Sequence, residues 1–122
     1  MLQRTATILI ERFAFWICAA GAVTMALLPK PPKLAIDGFG DKFEHMLAFG
    51  VLAALAAFAF PAAPRWRLIE RLSFMGALIE VAQSIPALHR DCDIRDWVAD
   101  TLAVLVMFGV LALLRLPRRR EA

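Results

Sequence analysis

TLAVLVMFGVLALL, residues 101–114, holds no charged side chain, and Arg115, Pro117, Arg118, Arg119 and Arg120 follow it closely. The apolar run reaches back to Ile94, past Asp100 and Asp96, and forward to Leu116. Crossing ~30 Å of hydrocarbon takes ~20 apolar residues in a helix. Inside lipid each backbone N–H and C=O must find a partner within its own segment, so a run of this length and composition reads as a membrane-spanning helix. Three more runs of similar length precede it. One covers residues 8–28 and stops at Pro29, after which Lys30, Pro31, Pro32 and Lys33 cannot continue a helix. The next, residues 43–60, is rich in alanine and closes at Pro61 and Pro64. The third, residues 66–86, carries Glu70 and Arg71 early and Glu80 and Gln83 late. The pattern predicts an all-α membrane bundle of four transmembrane helices in a single domain over residues 1–122, with no internal repeat.

Composition agrees. Of the 122 residues 61% are hydrophobic, and the mean hydropathy is +0.65, whereas a soluble domain carries about 45–50% apolar residues. A chain this short could not hide that excess from water. The net charge of +3 and the pI near 9.4 would suit a nucleic-acid binder. The charges, however, lie at the ends of the apolar runs, where membrane proteins keep them, so lipids are the expected partners and nucleic acid is not. Cys18 falls inside an apolar run and Cys92 in a charged loop, so both read as free thiols.

Orientation follows from the basic residues. Arg4, Arg12, Arg65, Arg67, Arg71, Arg115 and Arg118 to Arg120 fall at one end, nine in all, against five (Lys30, Lys33, Lys42, Arg90 and Arg95) at the other. Both termini are therefore expected in the cytoplasm. Arg4 and Arg12 before an apolar stretch and Ala20-Gly21-Ala22 also resemble a secretory signal peptide, but the run continues to Leu28, which favours an uncleaved anchor.

The outer half holds most of the acids: Asp37, Asp41, Glu44, Glu80, Asp91, Asp93, Asp96 and Asp100. Asp41 and His45 share a face at the start of the second run. Glu80 lies six residues below the outer end of the third run and Asp100 six residues into the fourth, roughly 9 Å down in each case. Gln83 is one turn above Glu80, Asp96 one turn above Asp100, and Arg90 sits in the loop over both. A charged residue within a membrane helix costs at least ~2.5–3.5 kcal/mol and normally faces a partner or a wet cavity. Converging on one recess open to the outside would reduce that cost.

Each residue also has a plainer role. Asp41 with Glu44 fits a capping box, and Asp96 suits the first turn of a helix. Arg90 can pair with Asp91 or Asp93. His45 suits the interface. Gln83, Glu80 and Asp100 can serve as interhelical hydrogen-bonding groups. Trp16, Trp66 and Trp97 read as interface or packing residues.

Asp41-Lys42-Phe43-Glu44-His45, read as D-K-x-x-H, is followed by Glu80-Val81-Ala82-Gln83, read as E-x-x-Q, then by Arg90 and by Asp96-Trp97-Val98-Ala99-Asp100, read as D-x-x-A-D. In this order and spacing the chain resembles the VanZ-like family of small bacterial membrane proteins over residues 41 to about 105. Two glycines usual in that family are replaced, by His89 before the arginine and by Ala103 after the final acid. The resemblance implies a multi-pass protein of the bacterial cytoplasmic (inner) membrane in a cell-envelope setting. It names no reaction, and the teicoplanin resistance of the member that gave the family its name is not carried over.

Two functions from different classes are expected to compete. In the first, the recess binds the head group of a lipid or a lipid-linked envelope precursor, with Lys42, Gln83 and Arg90 as binding residues. In the second, Asp41, His45, Glu80, Asp96 and Asp100 supply general acid and base. No cofactor is expected, although His45, Glu80 and Asp100 have the right chemistry for a divalent ion. A proton relay is disfavoured because residues 104–114 offer no polar step. An accessory subunit binding a membrane protein partner is the plainest alternative.

Overall fold

A computed structural model describes residues 1–29, 40–90 and 92–117, the side chain of Asp41 excepted. Lys30, Lys33 and Arg118 to Arg120, which enter the orientation argument, and the acids Asp37 and Asp91 lie outside the described residues. Among the described residues there are no strands. The elements are α1 (Leu2–Leu27), α2 (Asp41–Ala59), α3 (Arg65–Gln83), a 3-10 turn (Pro86–Leu88) and α4 (Ile94–Leu113).

Three of the four helices are long and apolar enough to cross a membrane: α1, α2 and α4, with mean hydropathies of 1.6, 1.4 and 1.8. α3 is not in that class, because Arg65, Arg67, Glu70 and Arg71 fill its first two turns. The distribution of side chains is turned inside out relative to a water-soluble bundle. Phe13, Ile17, Phe74, Leu102 and Val106 face outward, while Glu80, Gln83 and Asp100 are buried. That arrangement suits an apolar surrounding solvent and marks a membrane protein.

α2 occupies the middle, packing on α4, α1 and α3, and α3 lies along α4. The alanines that made residues 43–60 read as a small-residue run explain this. Ala53, Ala56, Ala57 and Ala59 are buried against neighbours such as Val104 and Phe108 of α4 and Phe15 and Ala19 of α1. Small residues let helix backbones approach closely where burial from water supplies no driving force.

The helix ends differ from the sequence expectation in ways that have local causes. α1 begins at Leu2 rather than near residue 8, since Gln3 to Thr7 contain no helix breaker and Thr7 Oγ1 donates back to the Gln3 carbonyl at 2.8 Å. α2 begins with Gly40, not Asp41, in the capping position. Gly40 has φ 92°, a left-handed value that only glycine takes without strain. Asp41 is therefore the first helical residue, out of register for the capping box. α3 ends at Gln83, short of Pro86, because the residue before a proline is pushed out of helical geometry; Ile85 is extended at ψ 118°.

α4 stops at Leu113 rather than Leu116 and closes in a Schellman arrangement. Arg115 N–H donates to the Ala112 carbonyl at 3.1 Å and Leu116 N–H to the Leu111 carbonyl at 2.8 Å. Arg115 sits at φ 54°, where glycine is favoured. Arg115→Gly is expected to raise stability by about 0.5–1 kcal/mol, read as a higher melting midpoint in detergent. A lower midpoint would mean that the side chain matters more than its backbone strain.

At the end of the bundle where α1 starts and α2 and α4 finish, two arginines donate to backbone carbonyls, one of them that of the last residue of α2. Arg12 Nε donates to Ala59 O at 3.0 Å and lies over the Phe60 ring. Arg65 donates to Phe108 O at 3.5 Å and to Leu116 O. Cations suit helix C-termini, where the exposed carbonyls concentrate negative charge.

Candidate functional site

The opposite end gathers the ionisable residues. Antiparallel packing brings the start of α2, the end of α3 and the start of α4 together there. Asp93 caps α4, its carboxylate accepting the Arg95 N–H at 2.9 Å. Its own backbone N–H donates to Glu80 Oε2 at 3.0 Å, fixing the end of α3 to the start of α4. From α2, Lys42 reaches across with its Nζ 3.0 Å from Asp96 Oδ1 and 3.4 Å from Asp93 Oδ2. The Arg95 N–H and Lys42 together hold the Asp93 carboxyl below its usual range.

One turn deeper, His45 Nδ1 stands 3.6 Å from Asp100 Oδ1. That is within ion-pair range and too long for a hydrogen bond. Asp100 has no exposed surface, and Glu80 is 6% exposed. Neither oxygen of Asp100 has a hydrogen-bond partner among the described residues, and neither does Glu80 Oε1. Gly76 of α3 packs beside this carboxylate: a Cβ there would lie 3.4 Å from Asp100 Oδ2 and Phe49 Cζ and 3.5 Å from Trp97 Cδ1. Below, Trp97 Nε1–H donates to Ser73 O at 3.0 Å, and the Ser73 and Thr101 hydroxyls share a hydrogen bond at 2.9 Å. These bonds fasten α3 to α4 and close the floor.

The residues singled out in the sequence thus divide. His45, Glu80, Asp96 and Asp100 come together, as does Lys42, which is committed to two carboxylates rather than free to receive a ligand. Gln83 goes elsewhere. Its Nε2 donates to Ala26 O of α1 at 2.9 Å, the helix-fastening role, while its Oε1 is buried without a partner among the described residues. Arg90 is half-buried and makes no ion pair with a described residue. Asp41 stands at the start of α2 with its side chain outside the description. No trio of His, Cys, Asp and Glu among the described residues is arranged to hold a metal ion.

Asp93, Gly76, Ser73 and Thr101 were not read from the sequence as site residues. Asp93 could have been, since an aspartate immediately before an apolar run signals a helix start. Nothing in the local sequence marks Gly76.

Cys92 is exposed beside this cluster. Partial loss of hydration beside the cluster, followed by the charge of Glu80, pushes this exposed thiol above the usual cysteine value. Only the thiolate reacts with a maleimide. Labelling of Cys92 is therefore expected to be slow at neutral pH, to quicken as pH rises, and to quicken at fixed pH in Glu80→Gln. An unchanged rate in that variant would show that the carboxylate does not reach the thiol.

Compared with family models, with curated proteins and with solved structures, the chain matches none.

Proposed function

We propose that this chain is a VanZ-like protein of the bacterial cytoplasmic membrane, with four spans and both termini inside, whose outer recess binds the polar head group of a lipid or a lipid-linked envelope precursor. The observation that carries this reading is Asp100: fully buried, yet with no chain donor on either oxygen among the described residues. A buried carboxylate left without donors is costly, and such groups in membrane helices mark binding and reaction sites. Interhelical hydrogen bonds and the capped start of α4 surround these buried acceptors and hold them in place.

α3 suits the role of a fourth span. Its charges are confined to the first two turns and to the inward-facing Glu80, while Phe74, Leu78 and Val81 present an apolar outer surface. Arginines near a helix end can extend to the interface. The left-handed backbone of His89, φ 49°, also suits the family pattern, because glycine takes that conformation without strain.

Native mass spectrometry of the protein released from its own membranes tests the head-group reading. A lipid retained by the wild type is expected to fall at least ~10-fold in occupancy in Asp100→Asn, a loss of about 1.4 kcal/mol in binding. Equal retention in both proteins would end it. Topology is checked separately with a membrane-impermeant maleimide at raised pH, which is expected to label Cys92 from outside the cell.

One observation keeps the enzymatic reading as a second. His45 turns Nδ1 toward a buried carboxylate and leaves Nε2 uncommitted among the described residues, the orientation a general base needs. If the site turns its lipid over, His45→Gln would keep binding and abolish product formation from a lipid extract.

A further inference from the structure

We infer that the recess selects a positively charged N–H donor, a primary ammonium head group, over an anionic phosphate; this rests on the head-group reading above. The count of unsatisfied groups is the first reason. Asp100 Oδ1, Asp100 Oδ2 and Glu80 Oε1 are buried acceptors without partners among the described residues, and ionised carboxylates only accept hydrogen bonds. An ammonium carries three donors and no acceptor, so it complements that set, whereas a phosphate brings more acceptors.

Charge is the second reason. Glu80, Asp93, Asp96 and Asp100 line the site. The basic groups facing them are Lys42, already held by Asp93 and Asp96, His45, which faces Asp100, and Arg95, whose charge reaches Asp93 alone. Even with the imidazole charged, the carboxylates outnumber these cations. Arg90, the residue expected to receive an anionic group, contacts none of the four. At the buried oxygens of Asp100 and Glu80 no basic side chain but His45 is paired, so a phosphate entering there would meet net negative charge, and like charges at short range repel. Divalent ions are the nearest competitor for carboxylates, but they require several ligands converging on one point, and no such trio exists among the described residues.

The test is thermal unfolding in lipid nanodiscs, followed by tryptophan fluorescence. Discs of phosphatidylcholine, whose head group has no N–H donor, are the reference. A fraction of the lipid is then replaced by phosphatidylethanolamine or by phosphatidylglycerol; free ethanolamine or magnesium chloride is added to the reference discs in parallel. Phosphatidylethanolamine is expected to raise the midpoint by ~4 °C or more over the reference, and Asp100→Asn and Glu80→Gln are expected to erase that difference. Free ethanolamine reproducing the shift supports the same chemistry with a soluble source. An Asp100-dependent gain from phosphatidylglycerol overturns the ammonium assignment and leaves head-group binding standing. A gain from magnesium alone overturns it in favour of a divalent ion. No head-group-dependent shift in any disc sinks both readings.

Discussion

Asp100→Asn is expected to yield a protein that is more stable than the wild type and no longer holds its ligand. The two effects have one cause. A carboxyl group with no exposed surface and no hydrogen-bond donor on either oxygen among the described residues is poorly stabilised when ionised. Its nearest cation, His45, stands at 3.6 Å and does not reach hydrogen-bonding distance. Asparagine has nearly the same shape and no charge, so the penalty is relieved by about 1–3 kcal/mol. Binding and fold stability should therefore move in opposite directions, the usual signature of a group kept for function. The measurement is a melting curve in ligand-free detergent beside lipid retention. A variant that melts lower than the wild type would mean that the His45–Asp100 pair is a structural brace, and the case for a functional recess would weaken with it.

The second large effect is steric and falls on Gly76. A single Cβ at this position meets Asp100 Oδ2, Phe49 and Trp97 at 3.4–3.5 Å, ordinary van der Waals distances. Gly76→Ala is therefore expected to change stability by less than ~1 kcal/mol, since it also gains helix propensity. Gly76→Leu has no such freedom. Its further atoms must displace Phe49, which is 2% exposed, or enter the space beside Asp100. Overpacking of this kind costs about 1–3 kcal/mol or more, and it should close the recess as well. Equal behaviour of alanine and leucine would show that α3 can slide away from α4, contrary to the Ser73–Thr101 and Trp97–Ser73 bonds that hold them.

Much of the bundle was legible because lipid imposes few options. A chain with apolar runs of this length, separated by proline and arginine, can satisfy its backbone only as helices. That Glu80 and Asp100 share one end of the bundle was also legible, because the rise per residue is fixed by helix geometry and antiparallel order puts both there. What sequence could not supply was rotation about the helix axes. Gln83 is only three residues from Glu80, yet it faces α1 and the Ala26 carbonyl instead of the acids. Lys42 was read as a ligand contact because its partners are 51 and 54 residues away and invisible locally. Gly76 has no side chain to attract notice, and its importance comes from what three other residues do around it.

The Lys42 bridge has a consequence for how the recess works. It crosses the rim through two bonds to Asp93 and Asp96, and the lysine side chain is half exposed. Mobile ions weaken exposed pairs of this kind at ordinary ionic strength, while the carboxylate at the base lies beyond their reach. If the site holds a head group as proposed above, raising the salt concentration should thus speed exchange of that ligand more than it lowers affinity.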